Sequence, residues 1–201
     1  MARAVFLDRD GVINEDSSEF IRSVHEWKPI PGSLEAIARL SRAGFTVAVV
    51  TNQSGVARGL LDMKQLSRIH AELIHSVEAS GGSIAGIFFC PHAPEDGCDC
   101  RKPESGLIRR ACLSLGLDAK GAPMVGDRLS DVEAARRAGS RPFLVQTGLI
   151  EASKSAAAEL GDVTVCRDLA AAAEAILRDQ AGATRPVAML PETRLQTTAR
   201  K

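Results

Sequence analysis

Short runs of aliphatic and β-branched residues alternate with longer segments of helical periodicity, and this alternation constrains the fold more than any other feature. The predicted strands span residues 4–7, 46–50, 84–89, 123–125, 143–145 and 163–165, and the predicted helices span 34–42, 63–79, 107–115, 131–138 and 169–177. Strands that alternate with helices pair in parallel, with helices on both faces of the sheet. The sequence therefore predicts an α/β fold with a doubly wound, mainly parallel, Rossmann-like sheet.

The chain is long and apolar enough to form one hydrophobic core, since 45% of its 201 residues are hydrophobic. We expect one domain over residues 1–181, with no large inserted cap, and a flexible tail over 182–201, where two prolines and several arginines interrupt any apolar period. The 25 basic residues balance the 25 acidic ones, and no signal-peptide pattern or membrane-length apolar run is present. We therefore expect a cytoplasmic monomer that binds neither nucleic acid nor membranes.

The segment 63–79 has the most regular helical pattern. Asp62 is predicted to cap its start, with Gln65 three residues later. One face carries an apolar stripe formed by Leu66, Ile69, Leu73 and Val77. His75 falls off this stripe and His70 lies on its flank, so we expect both histidines at the surface.

Polar residues follow four of the predicted strands. In chain order they are Asp8 with Asp10, the segment TNQSG at 51–55, Cys90 with His92, and Asp127 after Gly126. Ligands of an open parallel sheet bind beyond the carboxyl ends of its strands, where the strand order reverses. Because residues two apart in a strand face the same side, the carboxylates of Asp8 and Asp10 are expected to crowd together.

Several carboxylates can share one site when a divalent cation neutralises them, and Mg²⁺ prefers oxygen ligands. One ionised aspartate can attack phosphorus while a neighbouring carboxyl group protonates the leaving alcohol. Thr51 and, further along the chain, Lys102 would then contact the charged phosphoryl oxygens. The pattern predicts Mg²⁺-dependent phosphoryl transfer. For Asp131, at a predicted helix start, a structural or outer-shell role is favoured over direct metal binding.

The segment CPHAPEDGCDC places Cys90, His92, Cys98 and Cys100 within eleven residues. One imidazole and three thiolates match a closed, four-coordinate structural Zn²⁺ site, with free thiols or a disulfide as the alternatives. Arg101 and Lys102 follow the last ligand directly, so zinc would fix the loop that presents both cations. The remaining cysteines, Cys112 and Cys166, are predicted to be core residues.

The motifs FLDRDGVIN, VVTNQSG, CRKP and VGDRLSD resemble the four motifs of the haloacid dehalogenase superfamily of aspartate-nucleophile phosphatases. This resemblance covers roughly residues 3–178. It implies that Asp8 is the nucleophile and Asp10 the general acid and base, and that Thr51 and Lys102 stabilise the phosphoryl group. It also implies that Mg²⁺ is held by Asp8, the backbone carbonyl of Asp10, and Asp127.

Within the superfamily, TNQSGVARG and the cysteine loop are similar to a branch that acts on phosphorylated sugars in lipopolysaccharide core biosynthesis. The substrate contacts expected from this resemblance are Asn52, Gln53, Ser54, Arg101, Arg128 and Asp16. Arg58 suits a second phosphate on the substrate, or is a solvated loop residue. The compact spacing between His92 and Cys98 also resembles the histidinol-phosphatase branch, which is the nearest alternative.

A phosphorylatable signalling receiver is an alternative of another class. Its fold also gathers acids, a hydroxyl and a lysine around Mg²⁺, and there the aspartyl-phosphate is the output. Asp10 argues against this alternative, because an acid two residues after the nucleophile accelerates turnover, which a signalling switch should avoid.

Overall fold

The computed structural model describes residues 3–148 and 161–183, and every structural statement below concerns these residues. Six strands form one sheet: β1 (Arg3–Leu7), β2 (Phe45–Asn52), β3 (Gly86–Cys90), β4 (Pro123–Gly126), β5 (Arg141–Val145) and β6 (Thr164–Cys166). Their spatial order is β3-β2-β1-β4-β5-β6, and every neighbouring pair is parallel. The strand order reverses between β1 and β4, which is where such a sheet binds its ligands.

Five helices cover the two faces of this sheet. They are α1 (Ser33–Arg42), α2 (Met63–Ala79), α3 (Gly106–Leu115), α4 (Leu129–Ala138) and α5 (Leu169–Ala183). Alternation along β1 sends Val5 and Leu7 into a core shared with α1, α2 and α5, whereas Ala4 and Phe6 face a second core under α3 and α4. Helices on both faces of a parallel sheet confirm the predicted doubly wound α/β fold.

Two element boundaries differ from the prediction in ways that affect the site. Strand β2 continues to Asn52, because its pairing with β3 extends to the register Asn52–Cys90. Thr51 and Asn52 are therefore held by the sheet itself. Helix α4 begins at Leu129, and the Asp131 carboxylate accepts a hydrogen bond of 3.0 Å from the Arg128 backbone N–H just before it.

The predicted position of His70 is wrong. His70 is 8% exposed, and its ring packs against Phe89 with 5.4 Å between ring centroids, while His75 is exposed as expected. Position 70 lies four residues after Leu66 and three before Leu73, so it widens the apolar stripe of α2. Burial, with a smaller contribution from the nearby Arg9 charge, lowers the pKa of His70 to about 3, so the ring is neutral at pH 7.

The connection between β1 and α1, residues 8–32, borders the carboxyl edge of the sheet in place of a separate cap domain. Its regular structure is one 3₁₀ turn, Val24–Glu26, and two isolated bridges that Asn14 makes to Asp10 and Pro29. Residues 182 and 183 of the predicted tail belong to α5, and the rest of the tail lies outside the described residues.

Among the residues that the structure describes, no helix has both the length and the apolar character needed to cross a membrane.

Candidate active site

A cavity of about 210 Å³ opens at the carboxyl edge of the sheet, beside the point where the strand order reverses. The predicted catalytic residues Asp8, Asp10, Thr51 and Lys102 all line it. The predicted substrate-binding residues also line it: Asp16, Asn52, Gln53, Ser54, Arg101 and Arg128. Residues from β1, β2, the cysteine loop and the start of α4 thus meet in one place, as the strand-end pattern predicts.

Three buried carboxylates form a cluster at the floor of this site. Oxygens of Asp8, Asp127 and Asp131 lie within 4.8 Å of one another. Neither carboxylate oxygen of Asp127 has a hydrogen-bond partner among the described residues, and the Arg128 guanidinium approaches one of them at 3.6 Å. Gly11 has a φ of 77°, and a Cβ there would lie 2.5 Å from the Asp127 carboxylate. The cluster therefore needs glycine at position 11, and Asp127 is free to bind a cation.

Lys102 is the cation that the structure places inside this cluster. Its Nζ lies 2.9 Å from Asp8 Oδ1 and 2.6 Å from Asp131 Oδ1, and it donates a hydrogen bond of 3.0 Å to the Val50 carbonyl. Asp131 thus pairs with Lys102 and caps α4, which fits the structural role expected for it. One ammonium cannot neutralise three carboxylates, so two negative charges remain when all three are ionised.

The excess negative charge shifts the acidity of the cluster. Burial, together with the charges of Asp8 and Asp131, raises the pKa of Asp127 to about 8. Burial also raises the pKa of Asp8 to about 6, although Lys102 opposes this shift. In the absence of a metal ion, both groups therefore bind protons more tightly than ordinary aspartates.

The Asp10 carboxylate has different neighbours from the Asp8 carboxylate. Strand β1 ends at Leu7, so strand alternation does not extend to Asp10, and burial and the Asp131 charge raise the pKa of Asp8 more than the Asp10 charge does. Asp10 accepts hydrogen bonds from Arg9, Asn14 and Gln53. Burial would raise the pKa of Asp10, but the charge of Arg9 and these hydrogen bonds outweigh it and lower that pKa.

Two predicted substrate contacts also hold catalytic residues in place. The Asn52 side chain donates to the Lys102 carbonyl and accepts from the Lys102 backbone N–H, both at 3.0 Å. Gln53 Nε2 donates to Thr51 Oγ1 at 3.0 Å and to Asp10 Oδ2 at 2.8 Å. The amides at positions 52 and 53 therefore fix Lys102, Thr51 and Asp10 relative to one another.

Cationic side chains border the outer part of the cavity. Arg128 binds Asp16 through a contact of 2.7 Å between Nη2 and Oδ2, which connects α4 with the segment 8–32. Arg101 donates to the His92 carbonyl at 3.3 Å, which connects it with the cysteine loop. Both guanidinium groups are partly exposed, so they remain available to an anionic substrate.

The four residues of the cysteine loop converge as predicted. Five distances among Cys90 Sγ, His92 Nδ1, Cys98 Sγ and Cys100 Sγ lie between 3.3 and 3.5 Å. None of the five described cysteines forms a disulfide, and the sulfur atoms of the cluster lie well beyond the ~2.0 Å of a disulfide bond. Burial opposes ionisation of Cys98, but hydrogen bonds from the Arg101 backbone and from Cys100 and Cys90 lower its pKa to about 6. This donor set could hold a tetrahedral metal ion.

Several residues of the site were not predicted from the sequence. Arg9 and Asn14 hold Asp10, while Ser17, Phe20, Ile21 and Ser130 line the cavity. Ser17, Phe20 and Ile21 lie in the connection 8–32, which has little regular structure, so no strand or helix period predicts where their side chains lie. Arg9 could have been identified from its position between two aspartates, because a buried arginine there can pair with one of the carboxylates.

The sheet order and the aspartate cluster agree with a comparison against protein-family models. Residues 99–172 match the HAD-hydrolase-like family. Together, fold, site and match define the class of the protein as a hydrolase of the haloacid dehalogenase superfamily.

Similarity to individual proteins is more specific. The chain is 46% identical over 177 residues to D-glycero-β-D-manno-heptose-1,7-bisphosphate 7-phosphatase of Bordetella bronchiseptica, covering 88% of this chain and 99% of that protein. It is 49% identical over 180 residues to the enzyme of the same name from Pseudomonas aeruginosa, covering 89% and 100%. The crystal structure of the B. bronchiseptica phosphatase complexed with magnesium and phosphate superposes with a TM-score of 0.81, over 88% of this chain and 99% of that one at 47% identity. The chain belongs to the family of these heptose-bisphosphate phosphatases.

Proposed function

We propose that the protein hydrolyses the C7 phosphate of D-glycero-β-D-manno-heptose 1,7-bisphosphate through an aspartyl-phosphate on Asp8. The observation that carries this proposal is the position of Asp8 in the cavity, 2.9 Å from the cation of Lys102 and within 4.8 Å of the Asp127 carboxylate, which accepts no hydrogen bond from the described residues. The names and identities of the relatives support the sugar bisphosphate as the substrate. The names of these relatives specify the β anomer of the heptose, which we adopt for the proposed substrate.

The placement of the side chains supports the following reaction. Asp8 Oδ attacks phosphorus, the bond between phosphorus and the C7 oxygen breaks, and Asp10 donates a proton to that oxygen. Water then attacks the aspartyl-phosphate, Asp10 takes a proton from it, and the bond between Asp8 and phosphorus breaks to release phosphate. Thr51 and Lys102 stabilise the charge on the transferring group. Arg101 and Arg128 at the rim suit the second phosphate, which stays on the sugar.

The acidic cluster fits Mg²⁺, because the two oxygens of Asp127 lack hydrogen-bond donors and the cluster holds more negative charge than Lys102 neutralises. We propose that Asp8, the Asp10 carbonyl and Asp127 hold the ion. When bound, Mg²⁺ would supply charge neutralisation for the carboxylates and the phosphoryl oxygens. The magnesium and phosphate in the structure of the B. bronchiseptica phosphatase support this assignment.

The thermal stabilisation by Mg²⁺ is expected to be larger at pH 8 than at pH 6. A carboxyl group whose pKa is raised on folding stabilises the folded, metal-free protein at low pH. This stabilisation is lost as pH rises through about 8 for Asp127 and about 6 for Asp8. Mg²⁺ competes with those protons and relieves the repulsion when they leave. The check is the midpoint of thermal unfolding with and without Mg²⁺ at both pH values, and a smaller Mg²⁺ effect at pH 8 would contradict the assignment.

We also propose that the cysteine cluster holds a structural Zn²⁺. Its donor set has no open position, and the distances between the donor atoms are close to the roughly 3.5–3.8 Å edges of a tetrahedral zinc site. The ion would fix the loop that leads into Arg101 and Lys102, and thereby position both cations at the cavity.

Changing Cys98→Ser is expected to reduce bound zinc from about one ion per chain to a small fraction, because a serine hydroxyl is a poor zinc ligand. The Arg101 contact with the loop should loosen, and the KM for the substrate should rise. Metal analysis after dialysis measures the zinc. Cys112→Ser is the matched control, since Cys112 lies outside the cluster, and it should retain zinc. Unchanged zinc in the Cys98 variant would refute the site.

The substrate is tested by phosphate release with Mg²⁺ from both anomers of the heptose bisphosphate, histidinol phosphate and fructose bisphosphate, compared by kcat/KM. We expect the β heptose bisphosphate to be preferred by several hundredfold. A preference for histidinol phosphate, which the compact spacing from His92 to Cys98 leaves as the second candidate, would retain the mechanism and change the pathway. A long-lived aspartyl-phosphate without turnover would favour the receiver alternative. The monomeric state and the cytoplasmic location stay predictions from the sequence.

A further inference from the structure

We propose that Arg9 and Gln53 are positioning residues for Asp10, and that they hold its carboxylate in the orientation from which it exchanges protons with the leaving oxygen and with water. The inference rests on the proposed phosphatase function and deepens it. Arg9 is completely buried and Gln53 is 5% exposed, so neither side chain is a solvated loop residue. An arginine buried beside the catalytic groups needs a reason, because removing its charge from water is costly.

The contacts of Arg9 supply that reason. Its Nε donates to Asp10 Oδ1 and its Nη2 to Asp10 Oδ2, both at 2.9 Å, which is the two-pronged geometry of an arginine–carboxylate pair. The same Nη2 donates to Gln53 Oε1 at 3.0 Å. Gln53 therefore connects Arg9, Asp10 and Thr51 in one network.

The carboxylate of Asp10 is saturated by this network. A carboxylate offers about four acceptor positions. They are filled by two bonds from Arg9, one from Asn14 Nδ2 at 2.9 Å and one from Gln53 Nε2 at 2.8 Å. Four donors favour the anion and leave no position for a proton, so one donor has to give way before Asp10 can accept a proton from the attacking water.

In the first step, Asp10 must carry the proton that passes to the leaving oxygen, so one donor has to give way there as well. Asn14 is the member suited to this, since it is neutral and its Nδ2 also donates to the Glu15 carbonyl at 2.8 Å. Arg9 and Gln53 keep the carboxylate oriented while Asn14 releases it. Arg9 and Gln53 act through Asp10 and do not themselves take part in bond formation.

The test separates proton transfer from the rest of the site. A sugar alkoxide needs a proton to leave, whereas nitrophenolate from p-nitrophenyl phosphate does not. We compare Gln53→Met and Arg9→Lys with the wild type by rapid-mixing measurements with both substrates. Arg9→Lys keeps the charge and loses the two-pronged contact. Gln53→Met keeps the approximate volume, and serves if the Arg9 variant fails to fold.

For the sugar bisphosphate, the expected result is a loss in the first step of about 10²-fold. For p-nitrophenyl phosphate, the first step should stay within about threefold of the wild type, since no acid is required. Hydrolysis of the aspartyl-phosphate still needs Asp10, so nitrophenolate should appear as a burst of about one equivalent per active site, followed by slow turnover. The wild type should show no such burst.

The matched controls are Gln65→Met and Arg39→Lys, whose side chains are exposed on α2 and α1. Both should behave like the wild type with either substrate. Equal losses in the first step with the two substrates, or wild-type kinetics in both variants, would overturn the positioning role while leaving the phosphatase intact. If the wild type itself releases no phosphate from either compound, the proposed function fails instead.

Discussion

Replacing Asp8→Asn is expected to abolish phosphate release and leave the fold intact. An amide cannot attack phosphorus, so turnover should fall by more than about 10⁴-fold. The asparagine oxygen can still accept the hydrogen bond of 2.7 Å from the Arg9 backbone N–H and the contact of 2.9 Å from Lys102. The substitution also removes one of three clustered negative charges. We therefore expect the variant without Mg²⁺ to unfold at a temperature no lower than the wild type.

Phosphate release and thermal unfolding measure these two effects separately. Asp62→Asn is the matched control, because Asp62 caps α2 at the surface and asparagine is an equally good helix cap. The control should retain both activity and stability. Turnover like that of the wild type in the Asp8 variant would rule out Asp8 as the nucleophile.

The general position of the site was predictable because it depends on periodicity. Parallel strands place their carboxyl ends at one edge, so Asp8 after β1 and Asp127 after β4 must lie close together once the strand order is known. The cysteine cluster was predictable for a similar reason, since a short loop brings Cys90 and Cys100 together whatever the rest of the chain does. Resemblance to a known superfamily supplied the roles.

The contacts of single side chains were not predictable in the same way. The pairing of Lys102 with Asp131 joins segments that follow different strands, and only the packed structure shows which carboxylate the ammonium reaches. Strand alternation was extended beyond Leu7, where the strand ends, and it did not predict that Asp10 accepts hydrogen bonds from Arg9, Asn14 and Gln53. His70 was predicted at the surface because its polarity was given more weight than its position beside the apolar stripe of α2. In each case the contacts of the side chain depended on its packed surroundings, which the predicted helix or strand does not specify.

Replacing Lys102 is expected to cause a large loss in the free energy of unfolding. Lys102 is 3% exposed, and burial alone would lower its pKa, but the charges of Asp131 and Asp8 outweigh burial and raise the pKa above its usual value. The ammonium is therefore fully charged at pH 7, and its contribution to stability is lost only at strongly alkaline pH. Lys102→Met leaves the carboxylates without their buried cation, so we expect a loss of about 3–5 kcal/mol in the free energy of unfolding.

Denaturant unfolding with and without Mg²⁺ tests this expectation. Mg²⁺ should restore part of the lost stability, because the ion neutralises the same carboxylates, but it should not restore turnover, for which a loss of about 10²–10³-fold is expected from the missing charge on the phosphoryl oxygens. Lys120→Met is the matched control, since Lys120 is exposed and should change stability by no more than about 0.5 kcal/mol. If the Lys102 variant were as stable as this control without Mg²⁺, Lys102 would not be stabilising the carboxylates of Asp8 and Asp131, and its role as the buried cation of the cluster would be refuted.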